Sequence, residues 1–181
     1  MAMQAKPTLY AGYRFRSKLE AKWAVFFDEL KIPYQYEPEA FVCSDGSQYT
    51  PDFFLPKSYL RDWNSIGLYL EIKPFGWQYE DKYADRIASA FGENDNLVLF
   101  SGEPFDILAE TVEGNYQLSP SWDNYMEIQH CEKCGVLKAE FMESNYCHCP
   151  LCDGKVNTGA AQRAAEKARQ YRFEFQPNTS F

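Results

Sequence analysis

The chain has 181 residues, 45% of them hydrophobic and 17% aromatic, which is enough for one well-filled domain with a small appendage. No apolar run approaches the roughly 18 residues that cross a bilayer, and the N-terminus lacks a signal-peptide pattern, so we expect a soluble protein inside the cell. The net charge of −8 disfavours a polyanionic partner, but the acids are concentrated in residues 36–155, which leaves both ends of the chain basic.

The first predicted element is a helix that begins at Ser17 and ends near Pro33. Ser17 and Glu20 fit a capping box, in which the glutamate satisfies the helix start. A role for Glu20 in an acidic site is the open alternative. The helix is predicted from a stripe of apolar residues at helical spacing, namely Leu19, Trp23, Phe26, Phe27 and Leu30.

Basic residues cluster around the start of this helix and alternate with aromatic residues. Such a mixture is typical of surfaces that contact phosphates, and a solvated helix face is the competing interpretation. The candidate phosphate contacts are Arg14, Arg16, Lys18 and Lys22.

Short strands are predicted after the helix. Residues 34–36 have strand character, and a turn at residues 44–47 indicates a hairpin between 41–43 and 48–50. Residues 57–65 separate the next two strands, either as a long connection, which we favour, or as a substrate-facing insertion.

Two strands in the middle of the chain carry the main candidate site. Asp52 precedes the apolar residues 53–55, and residues 68–72 form a second apolar stretch that contains Glu71. Side chains alternate along a strand, so Glu71 and Lys73 share one face while Leu70 and Ile72 share the other. If the strands are neighbours, Asp52 lies beside Glu71. Paired carboxylates repel unless they are neutralised, so this arrangement predicts a divalent cation with oxygen ligands.

Residues 79–91 form an amphipathic pattern, and the uninterrupted apolar run at 97–100 is typical of a buried strand. A strand, a helix and a second strand in this order predict a crossover between parallel strands. The predicted fold class is therefore an α/β sandwich with a central mixed sheet.

Pro51-Asp52 together with Glu71-Ile72-Lys73 resembles the PD-(D/E)xK nuclease superfamily, which includes restriction enzymes, Holliday-junction resolvases and the end-cleaving subunits of some transposases. Glu20 lies on an upstream helix, where the superfamily often has a further acidic residue. Residues 13–27 are similar to the opening of small phage and bacterial members. The resemblance covers roughly residues 10–101 and implies a restriction-endonuclease-like sandwich.

The resemblance also implies a DNA endonuclease that depends on Mg²⁺ or Mn²⁺. Asp52, Glu71 and the backbone carbonyl of Ile72 would bind the metal, with help from Glu20. The neighbouring carboxylates favour the charged form of Lys73, so we expect it to orient water and to stabilise charge on the phosphate instead of acting as a base. The alternatives are a catalytically silent nuclease-fold module that binds DNA or protein, and an enzyme that works only as a subunit.

Two Cys-x2-Cys pairs beyond residue 118 predict a structural Zn²⁺ site of the zinc-ribbon type. Disulfides are the competing explanation, but the sequence shows no export signal. Cys147 or His148 is close enough in sequence to replace Cys149 as a ligand. The favoured ligands are Cys131, Cys134, Cys149 and Cys152.

The predicted organisation is a nuclease core at residues 1–118, a zinc ribbon at 119–157 and a basic helical tail at 158–181. The tail is alanine-rich, and its aromatic end favours docking on its own chain over binding DNA. DNA is the expected partner, and the zinc ribbon would grip either DNA or a protein partner. The expected location is the cytoplasm of a bacterial cell or of a phage-infected host, and the sequence gives no indication of oligomeric state.

Overall fold

The computed structural model describes residues 6–60, 67–75, 86–87, 89–91, 97–104, 108–113, 116–117, 126–141, 149 and 152–174. None of the helices in these ranges is long and apolar enough to cross a membrane. The elements in chain order are β1 (Thr8–Tyr10), β2 (Tyr13–Phe15), α1 (Lys18–Glu29), β3 (Gln35–Tyr36), β4 (Phe41–Val42), β5 (Gln48–Tyr49), β6 (Phe53–Leu55), β7 (Tyr59–Leu60), β8 (Leu68–Lys73), β9 (Leu97–Ser101), β10 (Leu108–Glu113), β11 (Tyr116–Gln117), β12 (Met126–Cys131), β13 (Leu137–Phe141), β14 (Val156–Asn157) and α2 (Thr158–Gln170).

The central sheet has six strands in the order β11-β10-β9-β8-β6-β3. Strands β8 and β9 run parallel, and the other neighbours in this sheet are antiparallel. The prediction of an α/β protein with a mixed sheet is therefore confirmed. The predicted crossover helix at residues 79–91 falls largely outside the described residues, among which Arg86 and Ile87 are helical and Ile87 is fully buried.

Helix α1 packs against this sheet as its apolar stripe predicts. Ser17 is the N-cap, and its hydroxyl accepts a hydrogen bond from the backbone N–H of Glu20 at 3.1 Å. Trp23 stacks on Phe100 of β9 with ring centroids 5.0 Å apart, and its indole N–H donates to the Gly102 carbonyl at 3.1 Å. The start of α1 is thus held in a fixed position relative to β8 and β9.

Helix α2 packs against α1. Its four buried alanines belong to the same core as α1 and the central sheet, and their small side chains allow the two helices to approach closely. Tyr171 and Phe173, which follow the helix, pack edge-on against Tyr10. The prediction that the tail docks on its own chain is confirmed for the described residues, which exclude Phe175. The buried alanines are Ala161, Ala164, Ala165 and Ala168.

A second sheet of four strands, in the order β14-β12-β13-β7, carries the first cysteine pair. Strand β7 lies within the connection predicted at residues 57–65 and pairs in parallel with β13, which places Tyr59 opposite Lys138. Residues 61–66 of that connection lie outside the described residues. The cysteine-rich part of the chain is therefore joined by hydrogen bonds to a segment that directly follows β6.

Candidate functional site

Asp52 immediately precedes β6, which lies between β8 and β3 in the central sheet, and is 2% exposed. Strand β6 pairs with β8 so that Phe53 faces Leu70, which brings Asp52 level with Glu71. The backbone N–H of Ile72 donates to Asp52 Oδ2 at 2.7 Å, and Arg16 Nη2 donates to Oδ1. Both carboxylate oxygens of Asp52 are therefore engaged, one by the backbone and one by a side chain.

The burial of Asp52 disfavours its charged form and, with the nearby charges of Glu71 and Glu20, raises its pKa to about 8. The hydrogen bond from Ile72 and the charge of Arg16 act in the opposite direction but do not cancel this effect. The positive charge near Asp52 is thus too small to stabilise its ionised form fully. An added cation would stabilise that form.

Glu71 and Lys73 share one face of β8, as predicted from strand alternation. Lys73 Nζ donates to Glu71 Oε1 at 2.5 Å, and the Tyr49 hydroxyl donates to Glu71 Oε2 at 2.7 Å. Leu70 and Ile72 lie in the apolar core on the other face. Glu71 is 4% exposed, so a buried carboxylate is held between a lysine and a tyrosine.

Glu20 takes part in both the helix start and the acidic cluster. Its Oε1 accepts from the Ser17 hydroxyl at 2.7 Å, and its Oε2 accepts from the Tyr36 hydroxyl at 2.7 Å and the Arg16 backbone N–H at 3.0 Å. The capping contact therefore reaches the amide of Arg16, one residue before the Ser17 amide that a capping box uses. The charge of Glu20 also contributes to the raised pKa of Asp52, after burial and the charge of Glu71.

Two tyrosines of this site were not among the predicted residues. Tyr36 donates to Glu20 and Tyr49 donates to Glu71, each at 2.7 Å. Burial and the hydrogen bond to Glu20 raise the pKa of Tyr36, so it stays a proton donor at neutral pH. The only sequence signal was that each tyrosine lies in a predicted strand, with Tyr49 close to Pro51-Asp52. A tyrosine in that position is as typical of an apolar core as of a functional site.

An open cleft of about 710 Å³ lies over the site and is lined by Arg16, Tyr49, Glu71 and Lys73, together with residues of the β4–β5 hairpin. Arg16 also forms an ion pair with Glu37 through Nε at 3.0 Å. Although burial disfavours its charge, the carboxylates of Asp52, Glu20 and Glu37 raise the pKa of Arg16, which therefore remains cationic.

The predicted phosphate contacts occupy different environments. Arg16 lines the cleft, whereas the ammonium group of Lys22 is paired with Glu103 and is mostly buried. Arg14 on β2 and Lys18 at the start of α1 are exposed. Arg16 is thus the member of the set that the fold brings to the carboxylates.

Two buried residues of the site, Asp52 and Glu71, are carboxylates of the kind that bind hard cations. Asp52 and Glu71 supply hard oxygen donors, and Mg²⁺ is commonly held by one or two carboxylates with water and phosphate completing its shell. Within the described ranges, the four cysteines are the only group of three or more possible ligand atoms that all lie within 4.8 Å of one another. Glu20 therefore does not form a tight three-carboxylate cluster with Asp52 and Glu71. The Ile72 group that contacts Asp52 is its N–H, and a role for its carbonyl stays a prediction.

The four predicted cysteines form a cluster compatible with a structural Zn²⁺ site. Their Sγ atoms all lie within 4.8 Å of one another, with Cys131 and Cys152 3.5 Å apart and Cys134 and Cys149 3.6 Å apart. Tetrahedral zinc with Zn–S bonds of ~2.3 Å has S···S edges of about 3.8 Å, close to these distances. Cys147 and His148, the alternative ligands, lie outside the described residues.

Both cysteine pairs lie in tight backbone turns. The N–H of Gly135 donates to the Cys131 carbonyl at 2.8 Å, and the N–H of Asp153 donates to the Cys149 carbonyl at 2.6 Å. A Cβ at Gly154 would lie 2.9 Å from Cys131 Sγ, so a larger residue does not fit there. At Cys131 burial raises the pKa, but hydrogen bonds from backbone N–H groups and from neighbouring thiols outweigh it and bring the pKa to about 7. Burial raises the pKa of Cys134 in the same cluster to about 12, so without a metal the thiols do not all favour the thiolate form.

Comparison of the chain with models of protein families, with curated proteins and with solved structures finds no match. The resemblance to PD-(D/E)xK nucleases therefore depends on the motif residues themselves.

Proposed function

We propose that this protein is a metal-dependent nuclease that hydrolyses phosphodiester bonds in DNA. The observation that supports this most strongly is the meeting of Asp52, Glu71 and Lys73 where β6 and β8 pair in a mixed sheet, beside an open cleft that Glu71 and Lys73 line. The two carboxylates are buried and the pKa of Asp52 is raised, so a divalent cation would relieve an unfavourable concentration of negative charge.

Asp52 and Glu71 would hold the cation, Mg²⁺ or Mn²⁺, with Glu20 contributing negative charge from the start of α1. When bound, the metal supplies charge neutralisation for the scissile phosphate and a water molecule of lowered pKa. Tyr49 and the Ile72 N–H keep the two carboxylates oriented. The protein's own contribution is thus a rigid pair of ligands on adjacent strands.

Lys73 would stabilise negative charge that develops on the phosphate. Its ammonium group is held at 2.5 Å from Glu71 Oε1, and it lines the cleft that a DNA strand would enter. A cation fixed beside the reacting group lowers the barrier because it needs no reorganisation during the reaction.

The proposal extends to the fold family and to the surroundings of the site. A helix with Glu20 in its first turn and a sheet that carries Asp52 and Glu71 suit a PD-(D/E)xK nuclease with a C-terminal zinc ribbon. The ribbon would be non-catalytic and would grip DNA or a protein partner. The cytoplasm of a bacterial cell or phage-infected host is the compartment in which such an enzyme would meet DNA.

The charge of the cleft favours one alternative, a nuclease-fold module that binds without cutting. Arg16 is paired with Asp52 and Glu37, and Lys22 with Glu103, so part of the basic surface is neutralised by the protein's own acids. Such a surface weakens non-specific attraction to DNA. The intact set of Asp52, Glu71 and Lys73 favours the enzyme.

The test is cleavage of supercoiled plasmid, linear duplex and branched DNA by the purified chain, with and without Mg²⁺. We expect Mg²⁺-dependent cleavage that is lost in Asp52→Asn, Glu71→Gln and Lys73→Met, because each change removes a charge from the site. Glu29→Gln is the matched control, since this α1 residue bonds Lys167 instead. DNA binding without cleavage of any substrate would support the binding module, and wild-type rates in a site variant would remove that residue's role.

A further inference from the structure

We propose that Arg16 is an exchangeable counter-ion that occupies Asp52 until metal and DNA phosphate take its place. This inference rests on the proposed nuclease function. The two oxygens of Asp52 have different partners: Oδ2 is held by the Ile72 backbone N–H, whereas Oδ1 is held by the Arg16 side chain. A backbone amide within a sheet is fixed, but a guanidinium at the end of a long side chain can move.

The exposure of the pair allows the exchange. The Arg16 side chain is 54% exposed, while that of Asp52 is 3% exposed. Arg16 also has a second carboxylate partner, Glu37, whose side chain is 40% exposed. When the guanidinium moves away from Asp52, it can therefore stay at the cleft and remain paired with Glu37.

The backbone of Arg16 is held while its side chain remains adjustable. Its N–H lies 3.0 Å from Glu20 Oε2 and 2.9 Å from the Tyr36 hydroxyl. These contacts fix the point from which the side chain extends. A guanidinium released from Asp52 thus stays at the cleft mouth and close to the site.

A divalent cation and the guanidinium compete for Asp52 Oδ1. Two cations on one carboxylate oxygen repel each other strongly when the oxygen is buried. A phosphate that enters the cleft offers the guanidinium a planar, two-oxygen partner of the kind it prefers. DNA binding would therefore free Asp52 for the metal, and Arg16 would pass from the carboxylate to the substrate.

The test is calorimetric titration of Mg²⁺ into the full chain without DNA, repeated at rising alkaline pH until the Mg²⁺ affinity of each variant no longer changes, so that Asp52 is ionised in each comparison. Arg16→Met removes the competing charge at similar length, and we expect its Mg²⁺ dissociation constant to be about two- to fivefold lower than wild type, which is the scale of a partly exposed ion pair. Arg16→Lys keeps the charge and should remain near wild type. Arg163→Met removes an exposed arginine from α2 and is the matched control.

Cleavage gives the second readout, which should move in the opposite direction. Arg16→Met should bind Mg²⁺ more tightly and cut DNA more slowly, since the phosphate loses its contact, and a purely structural role would not produce opposite shifts. An equal or weaker Mg²⁺ affinity in Arg16→Met would overturn the inference while leaving the nuclease proposal intact. If neither the wild-type chain nor Arg16→Met bound Mg²⁺ saturably, with or without DNA, both proposals would be overturned.

Discussion

The cysteine cluster and the carboxylate site are assembled in different ways. The four thiols come from two short turns, each closed by its own backbone hydrogen bonds, and their sulfur atoms face one another within 4.8 Å. The carboxylates come from three separate elements: Glu20 from α1, Asp52 from the position just before β6, and Glu71 from β8. Each is already hydrogen-bonded to protein donors. A cation at the cysteines would complete the fold locally, whereas a cation at the carboxylates must displace existing partners.

This difference predicts the order of effects when each site is damaged. Structural zinc contributes about 10–16 kcal/mol in isolated zinc-binding peptides, so its removal acts on folding. A change at the carboxylate site, where Arg16 is the displaceable partner of Asp52, should instead alter mainly the proposed Mg²⁺ affinity and cleavage rate. Damage to the cysteine cluster should therefore have the larger effect on stability.

Loss of one cysteine ligand should have the largest effect on stability. Cys134→Ser should abolish the expected content of one zinc ion per chain and unfold the second sheet, since four thiolates are needed to close the site. Helix α2 follows the cluster and buries four alanines against α1, so we expect the melting temperature of the whole chain to fall. Metal analysis of protein prepared without chelator, with thermal melting, measures both effects.

Cys43→Ser is the control for this prediction, because Cys43 is a buried thiol in a different apolar cluster. It should retain zinc and lose only the stability that a small buried polar group costs. Zinc retained in Cys134→Ser, or no zinc in the wild-type chain, would contradict the assignment.

Ionisation of Asp52 should have the next largest effect on the stability of the folded protein. We expect this effect to appear as a dependence of the melting temperature on pH. The folded-state pKa is raised to about 8, compared with ~3.9 in an unfolded chain, so the folded protein holds this proton more tightly. The contribution of the group to stability is full below a pH of about 4 and is lost as the pH rises through 8. Asp52→Asn cannot ionise, and its melting temperature should decline less over this range.

Asp45→Asn provides the comparison, since Asp45 is exposed in the β4–β5 turn and has a lowered pKa. It should keep the wild-type decline between about pH 4 and 8. Added Mg²⁺ should restore stability to the wild-type chain at a pH of about 8 but not to Asp52→Asn, which lacks the charged ligand. Equal pH slopes for Asp52→Asn and wild type would mean that Asp52 is ionised in the folded protein throughout this range.

The same comparison explains what the sequence could predict. Helix α1, the β4–β5 hairpin, the buried strand β9 and the cysteine cluster were predictable because each follows from local spacing. The pairing of Asp52 with Glu71 followed from strand alternation and one assumption about neighbouring strands, which the register of β6 and β8 bears out.

Other features depend on contacts that no local pattern encodes. Arg16 and Asp52 are 36 residues apart, and Tyr49 and Glu71 are 22 apart, so their hydrogen bonds arise only once the sheet has formed. The parallel pairing of β7 with β13 joins distant parts of the chain and has no signature in a two-residue strand. Hydrogen bonds between side chains, and strand pairings, that join distant parts of the chain therefore cannot be predicted from the local spacing of residues.

Glu20 should show the smallest effect, and it distinguishes a helix cap from a site residue. Glu20→Gln keeps one oxygen for Tyr36 and the Arg16 amide and places an amide group beside the Ser17 hydroxyl, so α1 and the melting temperature should change little. It removes one negative charge from the neighbourhood of Asp52. Less negative charge attracts a divalent cation less strongly, so cleavage should need about two- to fivefold more Mg²⁺, the scale of a partly screened charge pair.

The measurement is cleavage rate against Mg²⁺ concentration for Glu20→Gln, with Glu29→Gln as the control from the same helix. We expect the curve of Glu20→Gln to move to higher Mg²⁺ while that of Glu29→Gln superimposes on wild type, because Glu29 lies at the other end of α1 and bonds Lys167. A Glu20→Gln curve equal to wild type would reduce Glu20 to a cap. The acidic site would then consist of Asp52 and Glu71 alone, with Lys73 beside them.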